Sequence, residues 1–323
     1  MDSLEDQLKA WKTEQHRVAS QVVVKDDFYD FIETSKGVRF KVLPEVVESG
    51  FLYGGVDVSF PENESDQSVA TYVILEGTTQ KVVYQDYLYF HLTVPYVSSF
   101  LSFREIGPLE SLVKKQLKDK PHFTPCVILV DGNGVLHARR AGIACFLGVR
   151  TGIPTIGVAK TLYCEDGLLK ELVRSGIDST LLELKKQRSS NFLHTLLEEK
   201  GRSMLVDKSN ISPNYTRITL SVDRDTIMED LAPLYKGIGV KLEGASGQVL
   251  GAALLGHGGA IGVKRRIKSG TKNPIYISVG HNISLDEAVA VCGVLSQARI
   301  PEPVRQADLW GRELLRQNGG ELI

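Results

Sequence analysis

Between Tyr53 and Thr93 the chain carries three strand-like segments in succession, with too little sequence between them for a crossover helix. The first, Tyr53 to Phe60, alternates, so that Val56, Val58 and Phe60 are expected on one side and Asp57 and Ser59 on the other. The second spans Ser68 to Leu75 and the third Lys81 to Thr93; Glu76-Gly77-Thr78-Thr79 between them reads as a hairpin loop. Strands joined this tightly form an antiparallel meander, because a parallel pair needs a connection of a dozen residues or more. The pattern then changes. Gly107-Pro108 precedes a helix predicted from Leu109 to Leu117, in which Glu110 and Lys114 make a favourable i,i+4 pair. Cys126 to Val130 is wholly apolar, as suits a strand covered on both faces. A helix-like Ala141 to Val149 follows, then a strand at Ile153 to Val158 and another buried strand at Pro274 to Val279. Ser284-Leu285-Asp286-Glu287 has capping-box spacing and opens a helix expected to reach about Ala298. A meander followed by alternating helix and strand is the element order of an α/β, RNase H-like fold, a central mixed β-sheet flanked by helices.

Two regions stand outside that core. Residues 4–18 read as an amphipathic surface helix, with Leu4, Leu8, Trp11 and Val18 near helical spacing. Residues 162–245 fit the alternation less well. There, Lys185 to Ser190 and Asp207 to Asn210 read as polar loops between helical pieces at Leu168–Val173 and Phe192–Glu199. The chain is therefore expected to form a single domain over 1–323, with 162–245 as an insertion or elaboration on the core.

A chain of 323 residues can bury a sizeable core. Its net charge of -1 carries no global polyanion-binding signature, so a nucleic-acid partner needs a local basic patch. Lys264-Arg265-Arg266 with Lys268 and Lys272 is the best candidate; such charge runs are also common in plain solvated loops. The four cysteines lack paired spacing, which argues against a zinc site or disulfide framework and suits a reducing, intracellular compartment. Met1 to Asp6 shows no secretory signal, and the apolar stretch Val249–Val263 is broken by glycines and too short for a membrane span.

Three acids fall where this fold would gather them. Asp57 interrupts the first strand, Asp131 ends the most apolar one, and Glu105 lies just before the predicted helix at Leu109. Each alone has a plain structural use: a turn start, an Asp-Gly turn, a helix-start acid. Together in this order they point to a cation, since clustered carboxylates repel and their hard oxygens suit Mg²⁺ or Mn²⁺. Such a site activates water for phosphodiester hydrolysis. Lys160, closing the strand at Ile153, is either a solvated strand end or a contact to phosphate or the attacking water. His281 is placed in a short loop after a buried strand, a usual setting for functional residues. Gly132-Asn133-Gly134 would let backbone approach a ligand closely.

In order along the chain, Gly55 to Phe60, Pro95-Tyr96 leading into Phe100 to Glu105, and Asp131 to Gly134 with His137 and Arg139 resemble the endonuclease V family. Gly142-Ile143-Ala144, Pro154 to Lys160, Tyr276 to His281 and Arg299 to Asp308 continue the resemblance, which covers most of the chain outside 162–245. It implies metal-dependent cleavage of the second phosphodiester 3′ to inosine, leaving 3′-hydroxyl and 5′-phosphate ends. It also implies Asp57, Glu105 and Asp131 as Mg²⁺ ligands, replaceable by Mn²⁺, with Lys160 and His281 completing the catalytic surroundings. Tyr96 would be a wedge filling the gap left by an extruded nucleotide, and backbone around Ser99 to Leu101 and Gly132 to Gly134 would line the hypoxanthine pocket. His137 and Arg139 would complete the substrate-binding set. Ser278 to His281 and Arg299 to Asp308 resemble the eukaryotic branch more closely. This implies a cytoplasmic, nuclear or nucleolar monomer that acts on inosine in single-stranded RNA in preference to DNA. Deaminated-DNA repair on the same fold, and inosine or structured-RNA binding without cleavage, are the competing readings. Ser98-Ser99 stands where the family pattern carries Pro-Gly, placing a side chain at the pocket lip. His137-Ala138-Arg139-Arg140 also lacks the family's proline or second histidine after the first.

Overall fold

The computed structural model describes residues 4–26, 32–33, 39–43, 50–61, 67–188, 203–207, 237–256 and 273–319. The basic run Lys264 to Lys272 and the helical piece Phe192–Glu199 lie outside these. The strands are β1 (Ile32–Glu33), β2 (Arg39–Leu43), β3 (Leu52–Ser59), β4 (Ser68–Glu76), β5 (Val82–Phe90) and β6 (Val127–Asp131). They continue with β7 (Thr155–Ala159), β8 (Ser203–Asp207), β9 (Gly237–Glu243), β10 (Val249–Gly256) and β11 (Ile275–His281). All join one sheet in the order β1-β2-β8-β9-β10-β11-β7-β6-β3-β4-β5. Within it β3, β4 and β5 form the antiparallel meander, while β6 runs parallel to both β3 and β7. This is the RNase H-like arrangement, and β8 and β9 from the 162–245 segment extend the same sheet.

The helices are α1 (Leu4–Gln21), α2 (Ser102–Asp119), α3 (Ile143–Thr151), α4 (Lys170–Arg188), α5 (Leu285–Leu295) and α6 (Glu302–Gly319). Two apolar cores sandwich the sheet. On one face Val56, Ile128 and Val130 pack with Ile106, Leu109 and Val113 of α2, Phe146 of α3 and Val18 of α1. On the other, Val127, Leu129, Ile156, Val158 and Ile277 pack with α5 and with Val304 of α6. Alternation within each central strand thus feeds two cores, not a core and a solvent face.

That double coverage revises several sequence expectations. Asp57 and Ser59 are buried because α6 lies over their side of β3, whereas Phe60 falls past the strand end and is exposed. The third strand stops at Phe90. α2 begins at Ser102, so Glu105 lies in its first turn, and Pro108 sits inside the helix. Pro108 removes one backbone bond, to the Arg104 carbonyl. The early turn is held instead by buried Ser102 and Ile106 and by Phe103 stacked on Trp11 at 5.1 Å. Residues 185–188 end helix α4 and are not loop, and His281 ends β11. α6 has no counterpart among the sequence expectations, although Pro303 in its first turn and Val304, Ala307 and Leu314 on one stripe are helix signals.

The capping box is present. Ser284 Oγ accepts the Glu287 N–H (3.1 Å) and the Glu287 carboxylate accepts the Ser284 N–H (3.2 Å). Ser284→Ala should therefore lower stability by about 1 kcal/mol in thermal or denaturant unfolding; an unchanged midpoint would show that the box contributes nothing.

Candidate active site

Parity along three adjacent strands sets the site. Val127 and Leu129, and likewise Ile156 and Val158, face the α5/α6 side, so Asp131 and Lys160, two residues further on, face it too. Val56 pairs with Val130 and Asp131 with Val158, which puts Asp57, Asp131 and Lys160 at neighbouring strand ends. α6 crosses above them and adds Asp308. Ligand oxygens of Asp57, Asp131 and Asp308 all lie within 4.8 Å of one another. Lys160 Nζ is 2.5 Å from Asp131 and 3.6 Å from Asp308, and Arg312 reaches Asp308 from one helical turn away at 2.7 Å. Arg299 pins the Lys160 carbonyl (2.6 Å) together with that of Pro274 (3.0 Å).

Three carboxylates against the Lys160 ammonium and the more exposed Arg312 guanidinium still leave excess negative charge. Burial, then the charge of Asp131 and its hydrogen-bonding contact, holds the Asp57 carboxyl well above the ordinary carboxylate range; Lys160 opposes the shift only in part. The donor set is all hard oxygen, which is what Mg²⁺ or Mn²⁺ prefers, so the residues present fit a divalent cation. Glu105 is not a member of this tight group. It stands at its edge, on α2, where burial and then the charge of Asp131 push its carboxyl up to about 7. The third acid of the compact arrangement is therefore Asp308, in the place the sequence reading gives to Glu105. Asp308 lies in a stretch that carries the family resemblance, and its own signal is an acid on a helix whose apolar stripe is Val304, Ala307 and Leu314.

His281 is a correction. It pairs with Thr155 at the far end of β7, whereas Asp131 pairs with Val158. Three residues of strand separate the two positions, roughly 10 Å. His281 Nδ1 accepts the Val23 N–H (3.2 Å), tying the chain after α1 to the sheet. Antiparallel pairing of β11 with β7 carries it away from the carboxylates.

The remaining residues form a second cluster beside the first. Tyr96 is 68% exposed, free to meet a ligand, and the Arg104 guanidinium lies 5.7 Å from both its ring and that of Phe60. Ser99 has a left-handed backbone (φ 68°), and Leu101 precedes the first turn of α2. The Ser99 carbonyl accepts from Gln15 Nε2 (2.8 Å), His137 Nε2 (3.1 Å) and the Arg139 guanidinium (2.8 Å). Arg139 also donates to Gln15 and lies over Phe100 at 4.3 Å. His137 Nδ1 accepts the Arg139 backbone N–H, which leaves Nε2 as the donor of a neutral ring. Burial, then the neighbouring Arg139, pushes its pKa down to about 4, in keeping with that state. Both His137 Nε2 and Arg139 Nη2 are thus used to hold the Ser99 carbonyl, while Arg139 Nε is used on Gln15. Gln15 has no place in the sequence reading, although it sits on the same helical stripe as Leu8, Trp11 and Val18 and is fully buried.

Gly132 to Gly134 are largely committed to the sheet. The Gly132 N–H donates to the Val158 carbonyl (3.2 Å) and the Gly134 N–H to Ser278 Oγ (2.8 Å), while the Gly134 carbonyl accepts from Gly142 (3.0 Å). A Cβ on Gly134 would come within 2.1 Å of the Val279 carbonyl oxygen, which is why glycine is needed there. What this loop can offer a ligand is its edge at Gly132 and Asn133, whose side-chain oxygen is buried with no hydrogen-bond partner among the described residues.

Comparison with known proteins follows the same outline. A family model described as Endonuclease V matches residues 39–217 and 238–309. Endonuclease V of Mus musculus is 36% identical over 318 residues, covering 98% of this chain and 72% of that protein. The crystal structure of human endonuclease V superposes with a TM-score of 0.64 at 33% identity, covering 97% of this chain and 99% of that one. Endonuclease V of Ciona intestinalis, solved with a 23mer DNA containing an inosine followed by a ribo-adenosine, gives a TM-score of 0.64 at 26% identity. It covers 98% of this chain and 99% of that one.

Proposed function

The chain belongs to the endonuclease V family, and on that footing we propose that it is a divalent-metal-dependent endonuclease acting on inosine-containing nucleic acid. It cuts the second phosphodiester 3′ to inosine, leaving 3′-hydroxyl and 5′-phosphate ends, with single-stranded RNA preferred to DNA. The observation that carries the reading is the meeting of Asp57, Asp131 and Asp308 within 4.8 Å from two strands and a helix, under Lys160. These three acids would hold Mg²⁺ or Mn²⁺, with Glu105 at the rim. Such an ion supplies activation of water and stabilisation of the leaving oxygen.

The chain's own residues do the rest. The Lys160 ammonium, fixed on Asp131, faces the negative charge that a phosphodiester brings to the cluster. Exposed Tyr96 stacks into the gap when the target nucleotide is extruded, offsetting part of the few kcal/mol that unstacking costs. The loop from Ser99 to Leu101 and the edge at Gly132 and Asn133 border the base pocket. Inosine presents N1–H and O6 where adenosine presents an acceptor and an amino group, so fixed polar groups there discriminate between them. His137 and Arg139 act by holding Ser99 in place. We read residues 1–323 as one functional unit, a monomer of the cytoplasm and nucleus, with 162–245 as an elaboration.

The test uses matched single-stranded RNA and DNA oligonucleotides, each with one inosine or one adenosine, incubated with Mg²⁺ or with EDTA. Cutting one nucleotide beyond inosine, lost in EDTA and faster on RNA, is the expected result. Equal cutting of adenosine strands would remove inosine specificity; faster cutting of DNA would make this a deaminated-DNA enzyme. Binding without cutting in Mg²⁺ would overturn the nuclease reading altogether.

A further inference from the structure

Ser99 combines a conformational cost with an unusual density of contacts. Its φ of 68° is one that glycine adopts freely and a residue with a Cβ adopts at a cost. Three donors from α1 and from the stretch after Gly134 converge on its carbonyl. The side chain that creates the cost also makes a contact that glycine could not: Ser99 Oγ lies 2.6 Å from the Tyr163 hydroxyl. Tyr163 is half-buried, three residues after Lys160, and its ring packs 5.2 Å from that of His137. One short stretch of chain therefore carries both the ammonium set on Asp131 and the phenol set on Ser99.

We propose that the Ser99–Tyr163 hydroxyl pair is a latch on the lip of the base pocket, and that Tyr163 is a positioning residue governing base selectivity. The proposal rests on the reading of the Tyr96–Leu101 stretch as the base-recognition loop. The physical logic is local. Ser99 is held on its carbonyl side by Gln15, His137 and Arg139, and on its side-chain side by Tyr163, so the peptide groups on either side keep one orientation. Base discrimination by backbone donors and acceptors depends on that orientation, because hydrogen bonds weaken steeply once misaligned. Without the latch, Ser99 retains its left-handed strain and loses one of the contacts that over-determine it. A glycine in its place needs no such contact.

Steady-state cleavage of inosine and adenosine RNA strands by wild type, Tyr163→Phe, Ser99→Gly and the double variant tests this, with melting curves measured alongside. Tyr163→Phe keeps the ring against His137 and removes only the hydroxyl. It should raise KM for the inosine strand about five-fold, the order expected for one lost neutral hydrogen bond. It should also narrow the preference for inosine over adenosine and leave kcat within about two-fold. The double variant should recover toward wild type, since the glycine introduced by Ser99→Gly does not need the latch. Unchanged KM and selectivity in Tyr163→Phe would overturn the latch. A KM rise that tracks lost thermal stability and persists in the double variant would make Tyr163 a packing residue, and would overturn it too. Failure of the wild-type protein to cut inosine strands is read separately, on unaltered protein; it would remove the underlying reading and the latch with it.

Discussion

Asp308→Asn should cut inosine-containing strands about a thousandfold more slowly than wild type while binding them nearly as well. A thousandfold loss corresponds to roughly 4 kcal/mol of transition-state stabilisation, the scale attributed to a correctly held metal ion. Asparagine has the shape of the aspartate and lacks its charge, so packing of α6 is preserved. The stability change is the informative control. Removing one of three mutually repelling carboxylates should leave stability little changed, because Asp308 is among the charges that raise the Asp57 pKa, and relief of that repulsion offsets the loss of its ion pairs to Lys160 and Arg312. The rise in melting temperature that Mg²⁺ produces by binding the folded state should shrink in the variant. Asp57→Ala should likewise abolish cleavage and spare strand binding. Full activity in Asp308→Asn would take α6 out of the metal site and return the third place to Glu105.

Gly55→Ala tests the support beneath that acid. A Cβ on Gly55 would lie 2.1 Å from the backbone carbon of Pro303 and 2.2 Å from its oxygen, so neither partner can yield by rotating a side chain. α6 rests on β3 backbone to backbone at this point, five residues before Asp308. The substitution must lift the helix or distort the strand, at an expected cost of about 3 kcal/mol, and cleavage should fall steeply as Asp308 leaves the cluster. Gly107→Ala is the matched control. Gly107 is exposed inside α2, and among the described residues nothing beyond its chain neighbours lies within 4 Å of its Cβ position. With Pro108 following it, the gain in helix propensity is offset, and alanine there should change stability by less than about 1 kcal/mol. Equal stability of Gly55→Ala and wild type would mean that the close approach of α6 to β3 does not hold in solution.

Much of the fold is legible in the sequence because its signals are local. The tight succession of β3, β4 and β5, the apolar β6 and the Ser284 capping box depend on neighbours in sequence, and each is present. α2 starts seven residues before the predicted Leu109 because Gly107-Pro108 is a local stop signal, overridden here by Trp11 stacking on Phe103 from another helix. The same gap explains Gln15 and Tyr163. Nothing near them in sequence shows that both end on Ser99, 84 and 64 residues away.

The sequence by itself determined the strands of the meander and the buried strands β6, β7 and β11, that Asp57 interrupts the first of them and Asp131 ends β6, and that Lys160 follows β7, because side-chain alternation and connection length are properties of the chain alone. Tertiary structure alone decided which further groups reach them. The antiparallel register of β11 takes His281 to the far end of β7, and the crossing of α6 over Gly55 brings Asp308 in. Register between distant strands and the crossing of a helix over a sheet are set by which apolar faces must be buried together. That is a property of the whole packed molecule, and no short stretch of the sequence contains it.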